Sequence, residues 1–337
     1  FLKKNIEYNI DANHLFTNLK TLVFVSIFFN EKKYNIRSFN KFKKKFLYEL
    51  NNQIFSDGGH YERSPMYHSI LLEDIIEVRC FGKIYNYFSA SELALLDLII
   101  YKMFSWLNHM SFSNEISFFN DSCHGISSSI NDLIKLLNEN NIKYEINKNS
   151  NDKLVYLRES GYFVSYMKNS KLIVDVGNAS PSFQPGHYHA QSLSFEFMLD
   201  NIKVFTNSGI STYENNQLRF DQRSTKSHNT VIINNENSSE IWSSFRLANR
   251  ANVKVSNFFI SNDNNTIELE ASHDGYKKKS SNIHTRKFKY EDKSLKIYDK
   301  VTNLNCNIHA VFMISSKFKI KDQTIYDNNG IKINFKT

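Results

Sequence analysis

The chain has 337 residues, of which 41% are hydrophobic, and its 42 Lys and Arg against 34 Asp and Glu give a formal net charge of +8. That length can bury one large core or two medium ones and favours two domains. Three cysteines lie far apart without a CxxC pair, which excludes a dense disulfide framework. A basic chain tends to meet nucleic acid, anionic lipid or acidic glycan. Because Asn, Lys, Ile and Phe are abundant throughout, the charge alone decides nothing.

The start of the chain is expected to be internal to a longer protein. The first residue is Phe1, and no signal peptide is visible in the residues that follow it. The longest apolar stretch, residues 15–29, includes Thr17, Asn18, Lys20 and Ser26. It is short for a membrane span of about 20 residues, so we expect a buried helix and no membrane span.

Apolar residues recur at helical spacing before residue 150 and alternate in short segments after it. The helical stripes are Phe42/Phe46/Leu50/Ile54, Ile70/Leu71/Ile75/Val78, Leu93/Leu96/Ile99/Ile100/Met103 and Ile130/Leu133/Ile134/Leu137. The predicted strands are 153–157, 162–166, 171–176, 193–199, 230–233, 253–260, 266–271, 294–301 and 309–314. The sequence therefore predicts an α+β chain with a helical domain over 1–148, a linker NKNSND (147–152) and an antiparallel β-sandwich over 152–337.

The segment DGGHYERSPMYH (57–68) contains the first candidate site. Ser64-Pro65 predicts a helix N-cap followed by proline in the first helical position. Tyr67 then lies in the first turn, where the positive end of the helix dipole would stabilise a phenolate. A tyrosine that merely covers a helix start explains the same pattern, and periodicity alone favours that explanation.

Histidines form the second candidate site. His187 and His189 in GHYHAQSLSFE (186–196) would share one face of a strand, and such a pair can bind a metal or transfer protons. His228 in RSTKSHN is a possible third metal ligand. Two solvated loop histidines are the better explanation of such a pair when it is considered in isolation. Asn13, before the apolar stretch, is a possible helix cap.

Taken together, these segments resemble the heparinase II/III-like polysaccharide lyases and their alginate lyase relatives. The resemblance covers nearly the whole chain and rests on motifs that occur in the order of the family: Asn13-His14, DGGHYERSPMYH, GHYHAQSLSFE, VFTNSG (204–209), RSTKSHNTV, WSSFR (242–246), HDGY (273–276) and HTR (284–286). Each motif is weak alone, but their ordered occurrence is specific. The resemblance implies an incomplete (α/α) toroid followed by an antiparallel β-sandwich, with the active site in the cleft between them.

The resemblance also implies β-elimination in a uronate-containing glycan. Such an enzyme must neutralise the sugar carboxylate, remove the C5 proton and protonate the leaving oxygen. By resemblance, Asn13 neutralises the carboxylate with help from His14. Tyr67 is the acid and an alternative base, and His187 is the base for one of two sugar epimers. Substrate contacts are expected at His60, Arg63 and Arg223.

The resemblance further implies a zinc or other divalent cation held by His189, His228 and an acid at the position of Asn207. Asparagine is neutral and a poorer zinc ligand than a carboxylate. The expected metal is therefore weak, different or absent, and structural where it binds, since it would fix the loop that carries His187.

Two other classes of function stay open at this stage. A glycoside hydrolase on the same fold would need two carboxylates about 5–10 Å apart, and Glu62, Glu73 and Asp74 are available. A catalytically inactive glycan-binding or exopolysaccharide-assembly protein could keep the fold without the activity. The expected partner is an anionic polysaccharide in the periplasm or outside the cell. Nucleic-acid binding ranks last because the positive charge is dispersed, and the sequence leaves the oligomeric state open.

Overall fold

The computed structural model describes residues 1–31, 40–146, 153–261, 265–291, 294–321, 324–326 and 332–334. The chain forms two compact units. The first comprises residues 1–151, 157–161 and 179–188, and the second comprises 152–156, 162–178 and 189–337. The predicted linker 147–152 lies outside the described residues. Two later segments thus belong with the helical part of the chain, which a single boundary in the sequence does not reveal.

The first unit is mainly helical in its described part. After a short 3₁₀ turn (Leu2–Lys4), its helices are α1 (Ala12–Glu31), α2 (Asn40–Gln53), α3 (Pro65–Ile84), α4 (Ala90–His109) and α5 (Ile130–Glu139). A small antiparallel pair, β1 (Ser111–Phe112) and β2 (Glu115–Ile116), follows α4. Capping boxes at Ser89 and Ser129 begin α4 and α5, since each serine and the acid three residues later satisfy free backbone N–H groups.

The predicted apolar stripes are the buried faces of these helices. On α2, Phe42, Phe46 and Leu50 are buried, as the spacing predicts. The stripe does not extend to Ile54, which lies beyond the end of α2 and pairs with His60 in a β-bridge. The apolar stretch 15–29 lies within α1 and is largely buried. Among the helices of the described ranges, none combines the length and the apolar content that a bilayer crossing requires.

The second unit is mainly antiparallel sheet. A five-stranded sheet in sequential order contains β3 (Leu154–Leu157), β4 (Tyr162–Met167), β5 (Ser170–Asp175), β6 (Phe195–Leu199) and β7 (Ile202–Phe205). A four-stranded sheet, also sequential, contains β11 (Val253–Ile260), β12 (Thr266–His273), β13 (His284–Glu291) and β14 (Ser294–Val301).

Smaller elements complete the described part of the second unit. Strand β8 (Val231–Ile233) pairs with β15 (Ile308–Ala310), and β9 (Glu240–Ser243) pairs with β10 (Arg246–Ala248). The last sheet comprises β16 (Lys319–Lys321), β17 (Thr324–Tyr326) and β18 (Lys332–Asn334). The short helices are α6 (Gln217–Arg223), a 3₁₀ turn (Thr225–Ser227) and α7 (Lys277–Ser280).

The two large sheets share one hydrophobic core. Alternate residues of β12 (Ile267, Leu269 and Ala271) are buried against apolar side chains of β4, β5 and β6. Burial of one face of each strand is the arrangement that period-two alternation predicts. The α+β class predicted from the sequence is confirmed, whereas the toroid and the sandwich stay predictions.

A buried network of hydrogen-bonded polar side chains crosses three strands of the four-stranded sheet. Gly275 donates its N–H to Nδ1 of His273 (3.2 Å), so Nε2 of His273 carries the hydrogen that faces Nδ1 of His284 (3.1 Å). Nε2 of His284 in turn lies 2.7 Å from Asp299 Oδ1, and Arg286 donates to both Asp299 oxygens. Burial, followed by the neighbouring His284 and Arg286, lowers the pKa of His273 well below its usual value, and Asp299 opposes that decrease. Burial also lowers the pKa of His284.

These two histidines make the stability of the chain sensitive to acid. Because their pKa values are lower in the folded state, the unfolded chain binds protons first as the pH falls below about 6.5. We expect the free energy of unfolding to decrease by up to about 1.4 kcal/mol per pH unit for each of them. Urea unfolding between about pH 8 and pH 5 measures this slope.

A matched pair of variants controls that experiment. His124 is exposed, so His124→Gln should leave the slope unchanged, whereas His284→Gln should reduce it. A His284→Gln variant with the same slope as the wild type would contradict the neutral, buried state of His284.

Candidate functional site

The loop before α3 is held to a segment about a hundred residues later. Asp57 Oδ2 accepts hydrogen bonds from the backbone N–H groups of Glu159 (3.0 Å) and Ser160 (2.8 Å). It also accepts one from the Ser160 hydroxyl (3.0 Å). Since all these residues belong to the first unit, the contacts fix the loop within that unit.

Glycine is required at the turn of this loop. Gly58 has φ +89°, and a Cβ there would lie 2.3 Å from the Lys102 carbonyl oxygen. At Gly59 a Cβ would lie 2.7 Å from both the Ser160 Cβ and Trp106 Nε1. The double glycine in DGGHYERSPMYH therefore lets the loop pass close against α4 and the segment at Ser160.

The predicted start of α3 is confirmed. Ser64 is the N-cap, its Oγ accepts the Tyr67 N–H (3.2 Å), and Pro65 begins the helix. The same hydroxyl contacts the Asp121 carbonyl oxygen (2.5 Å). Tyr67 thus lies in the first turn of the helix and is partly exposed.

Tyr67 and His187 lie together within the first unit. Their ring centroids are 4.0 Å apart, and the ring planes are inclined by 33°. His187 belongs to segment 179–188, which groups with the helices, and 9% of its surface is exposed. A phenol and an imidazole, both able to transfer protons, therefore contact each other beside a surface that is not fully closed.

Two buried carboxyl groups face the two nitrogens of His187. Asp121 Oδ2 lies 2.7 Å from Nδ1, and the Asp121 N–H donates to the His187 carbonyl oxygen (3.1 Å). Glu62 Oε1 lies 3.7 Å from Nε2. The contact with Asp121 fixes the ring and assigns the hydrogen on Nδ1, which leaves Nε2 as the basic nitrogen.

Asp121 was not predicted from the sequence, and no part in the lyase chemistry was predicted for Glu62. Asp121 lies in FFNDSCHG, where nothing in the local pattern separates it from an ordinary loop acid. Glu62 entered only as a possible hydrolase carboxylate. Their importance follows from contact with a histidine far away in the chain, which no local pattern records.

Glu62 holds a proton more tightly than an exposed glutamate does. Burial raises its pKa to about 7; His187 opposes that rise, and the charges of Asp121 and Asp11 add to it. The carboxyl is consequently largely neutral on the acidic side of neutrality, while Asp121 supplies the negative charge beside His187.

Asn13 and His14 lie in the first turn of α1. The helix begins at Ala12, whose N–H donates to Asp11 Oδ1 (2.8 Å), so the capping role considered for Asn13 was wrong. His14 is exposed, with Nδ1 3.5 Å from Glu7 Oε1.

Gln53 links the start of α1 to the loop that carries Glu62. Its Nε2 donates to the Ala12 carbonyl oxygen (3.4 Å), and its Oε1 lies 3.2 Å from His60 Nε2. The first turn of α1 is therefore held near the loop before α3, through His60.

Three residues expected to contact substrate are buried instead. His60 is 0% exposed and contacts Gln53, and Arg63 is 1% exposed and donates to the carbonyl oxygens of Ser160 and Gly161. In the second unit, Arg223 is 0% exposed, and its guanidinium donates to the Ser243 (2.6 Å) and Ser244 (2.9 Å) carbonyl oxygens. All three side chains are therefore engaged within the protein itself, and their contact with a substrate stays a prediction.

The three expected metal ligands come together in the second unit. The rings of His189 and His228 have centroids 5.2 Å apart, and His228 Nδ1 lies 3.1 Å from Asn207 Oδ1. Zinc sites in proteins generally use three or four His, Cys or carboxylate ligands. Over the described residues, no three such side chains are close enough to hold an ion. Two imidazoles and an amide oxygen that already accepts a hydrogen bond therefore do not fit a tightly held zinc.

Comparison with known proteins assigns the family. The model of the heparinase II/III N-terminus matches residues 1–144, and the model described as heparinase II/III-like, C-terminal, matches residues 149–321.

The chain belongs to the heparinase II/III-like family.

Individual relatives of this heparinase II/III-like chain are distant and longer. It is 24% identical over 264 residues to a heparin-sulfate lyase of Bacteroides stercoris, covering 68% of this chain and 37% of that protein. A crystal structure of heparinase III matches with a TM-score of 0.73 at 19% identity, over 94% of this chain and 52% of that one. Heparan sulfate lyase HepC from Pedobacter heparinus matches with a TM-score of 0.70 at 16% identity, over 97% and 52%. The chain spans about half the length of these solved structures, and the likeness to them shows a shared fold.

The proton on Glu62 should be visible in the stability of this heparinase II/III-like chain. Over the interval from about pH 4.5 to 7, the folded chain keeps a proton that the unfolded chain has lost, so Glu62 lowers the free energy of unfolding by up to about 1.4 kcal/mol per pH unit as the pH rises. Glu62→Gln has no such dependence. As the pH rises, the free energy of unfolding of Glu62→Gln should therefore increase relative to that of the wild type. Urea unfolding at several pH values measures this difference.

Glu139→Gln serves as the control, because Glu139 is exposed at the end of α5. The difference in free energy of unfolding between Glu139→Gln and the wild type should not change with pH. If the corresponding difference for Glu62→Gln were also constant, Glu62 would ionise normally.

Proposed function

We propose that the chain is the catalytic portion of a polysaccharide lyase that cleaves a uronate-containing anionic glycan by β-elimination. Tyr67 and His187 provide the acid and the base, and Asn13 binds the carboxylate of the sugar. The observation that carries the proposal is the 4.0 Å contact between the Tyr67 and His187 rings. Membership in the heparinase II/III-like family and the heparin-sulfate lyase among the relatives support it.

The reaction requires two proton transfers at one sugar. The base takes the proton from C5, and the electrons of that C–H bond form the C4–C5 double bond. The bond between C4 and the glycosidic oxygen breaks with its electron pair on the oxygen, which the acid protonates. Because the two transfers occur at neighbouring carbons, an acid and a base in mutual contact suit the reaction.

The carboxyl groups around His187 prepare it to accept a proton. Asp121 at Nδ1 stabilises the imidazolium that forms when Nε2 takes the C5 proton, as a buried aspartate does for a catalytic histidine elsewhere. Glu62 faces Nε2 at 3.7 Å. When Glu62 is neutral, it adds no second negative charge that would repel the substrate carboxylate. When Glu62 is ionised, it can receive the proton from His187.

Asn13 and His14 are proposed to neutralise the sugar carboxylate. Their place in the first turn of α1 lets the amide and backbone N–H groups at a helix start act on an anion. Negative charge develops on the carboxylate as C5 loses its proton. Stabilisation of that charge is generally the largest contribution to lowering the activation barrier of such a reaction.

The substrate class follows from the acidic sugar and from the relatives. A glycosaminoglycan of the heparan type is the first candidate, since relatives named for heparin and heparan sulfate share the fold. We place the reaction in the periplasm or outside the cell, where such polymers occur.

Replacing Tyr67 by Phe tests the proposal directly. The unsaturated sugar that a lyase forms absorbs in the ultraviolet, so turnover on a panel of uronate polymers can be followed by absorbance. We expect Tyr67→Phe to reduce the rate by about 10²- to 10⁴-fold, the range for loss of a general acid or base. Tyr101→Phe is the control, because Tyr101 is an exposed residue of α4 whose hydroxyl donates to the exposed Glu145.

Three results would contradict the proposal. Unchanged turnover in Tyr67→Phe would remove the tyrosine from the chemistry. Reducing ends without ultraviolet absorbance would indicate a hydrolase. Polymer binding without cleavage on the whole panel would indicate a glycan-binding protein.

Asp121 is expected to act as a positioning residue. Asp121→Asn retains the shape but loses the charge that stabilises the imidazolium of His187, so kcat should fall by about 100-fold or more while KM changes little. Steady-state kinetics measure the two constants. Asp132→Asn, at an exposed helix start, should change neither, and a loss confined to KM in Asp121→Asn would instead assign Asp121 to substrate binding.

A further inference from the structure

The second unit contains a buried polar cluster formed by His189, Glu196, Asn207 and His228. Glu196 lies on β6, Asn207 follows β7, and His228 follows the 3₁₀ turn at 225–227. All four side chains are at most 1% exposed. Four polar residues removed from water must satisfy one another by hydrogen bonds or bind an ion.

Asn207 bridges a proton donor and a carboxylate. Glu196 Oε1 accepts from the backbone N–H of Asn207 (3.0 Å) and lies 3.4 Å from its Nδ2. Because the amide nitrogen faces the carboxylate, the amide oxygen faces His228 Nδ1 at 3.1 Å, and Nδ1 carries a hydrogen. Both polar ends of the amide are thus used.

The charges in and around the cluster balance without a cation. The negative charge of Glu196 lies 3.7 Å from the ammonium of Lys203. A divalent cation added here would bring two further positive charges into a buried region where Glu196 already has a cationic partner, at a large desolvation cost.

A carboxylate at position 207 would reverse this balance. An aspartate there would face Glu196 and repel it, since two carboxylates at hydrogen-bond distance need a proton or a cation between them. It would also add the third strong ligand that two imidazoles lack for zinc. His228 Nε2, the buried ring nitrogen that does not contact Asn207, would supply a ligand to such an ion.

We infer that this cluster is a metal-independent centre, held together by the Asn207 amide in the place where the family resemblance implies a metal site. Asn207 performs by hydrogen bonding what a divalent cation would otherwise do: it joins the segment at His228 to strand β6. A single substitution, Asn207→Asp, is expected to convert the cluster into a zinc site.

Metal content and thermal stability test this inference independently of activity. The full chain, purified without a polyhistidine tag, is incubated with a small excess of zinc, passed through gel filtration and analysed for bound metal. We expect the wild type to retain less than about 0.1 zinc per chain and Asn207→Asp to retain about one. Thermal unfolding with EDTA and with zinc should leave the wild-type Tm unchanged, whereas zinc should raise the Tm of Asn207→Asp.

Two control variants separate metal binding from loss of the amide. Asn207→Ala should lower the Tm without gaining zinc, because it removes the bridge and supplies no ligand. Adding His228→Gln to Asn207→Asp should abolish the gained zinc.

Three outcomes overturn the inference. In the first, the wild-type chain retains about one zinc through gel filtration. In the second, the wild-type Tm falls when EDTA is added. In the third, Asn207→Asp folds but binds no more zinc than the wild type. If Asn207→Asp does not fold, the two wild-type measurements still decide the question. Since neither concerns Tyr67 or His187, the inference and the proposed lyase activity can fail separately.

Discussion

The imidazole of His187 is the group on which the candidate site depends, because three other side chains fix its position and charge. Asp121 faces Nδ1 at 2.7 Å, Glu62 faces Nε2 at 3.7 Å, and the Tyr67 ring contacts the imidazole ring at 4.0 Å. Two carboxyl groups beside a base would repel an anionic sugar if both were ionised. Burial resolves the conflict, since it raises the pKa of Glu62 to about 7 and leaves Asp121 as the charged partner. In the proposed lyase reaction, the same two acids set the proton affinity of His187 and the tolerance of an acidic substrate.

Features that depend on neighbouring residues could be predicted from the sequence. Ser64-Pro65 determines where α3 begins, and with it the position of Tyr67, because a cap and a first-turn proline act over one helical turn. Strands β11 and β14 have the predicted bounds. Strand β13 was not among the predicted strands, because its buried face contains His284 and Arg286. Their polar side chains hide the alternation that a hydrophobic pattern requires.

Features that depend on distant residues could not be predicted. Arg63 and Arg223 were expected to meet the substrate because guanidinium groups bind anions, yet both donate to backbone carbonyl oxygens in the interior. An arginine is buried where carbonyl oxygens at the ends of loops require a hydrogen-bond donor. Only the folded structure determines where those oxygens lie. The net charge of +8 was equally uninformative about the site, where Glu62 and Asp121 lie buried beside the base. By contrast, the resemblance brought together Tyr67 and His187, although no local pattern connects them.

The composition of the first unit also constrains how the chain folds during synthesis. The helices up to α5 are translated first, but Asp57 and Arg63 find their partners only at residues 159–161, and the histidine of the candidate site lies in segment 179–188. During synthesis, Asp57 and the buried Arg63 are therefore made about a hundred residues before those partners. The first strands of the second unit, β3 to β5, emerge within that interval. The helical unit is completed only after part of the sheet has been made, so the two units cannot mature strictly one after the other.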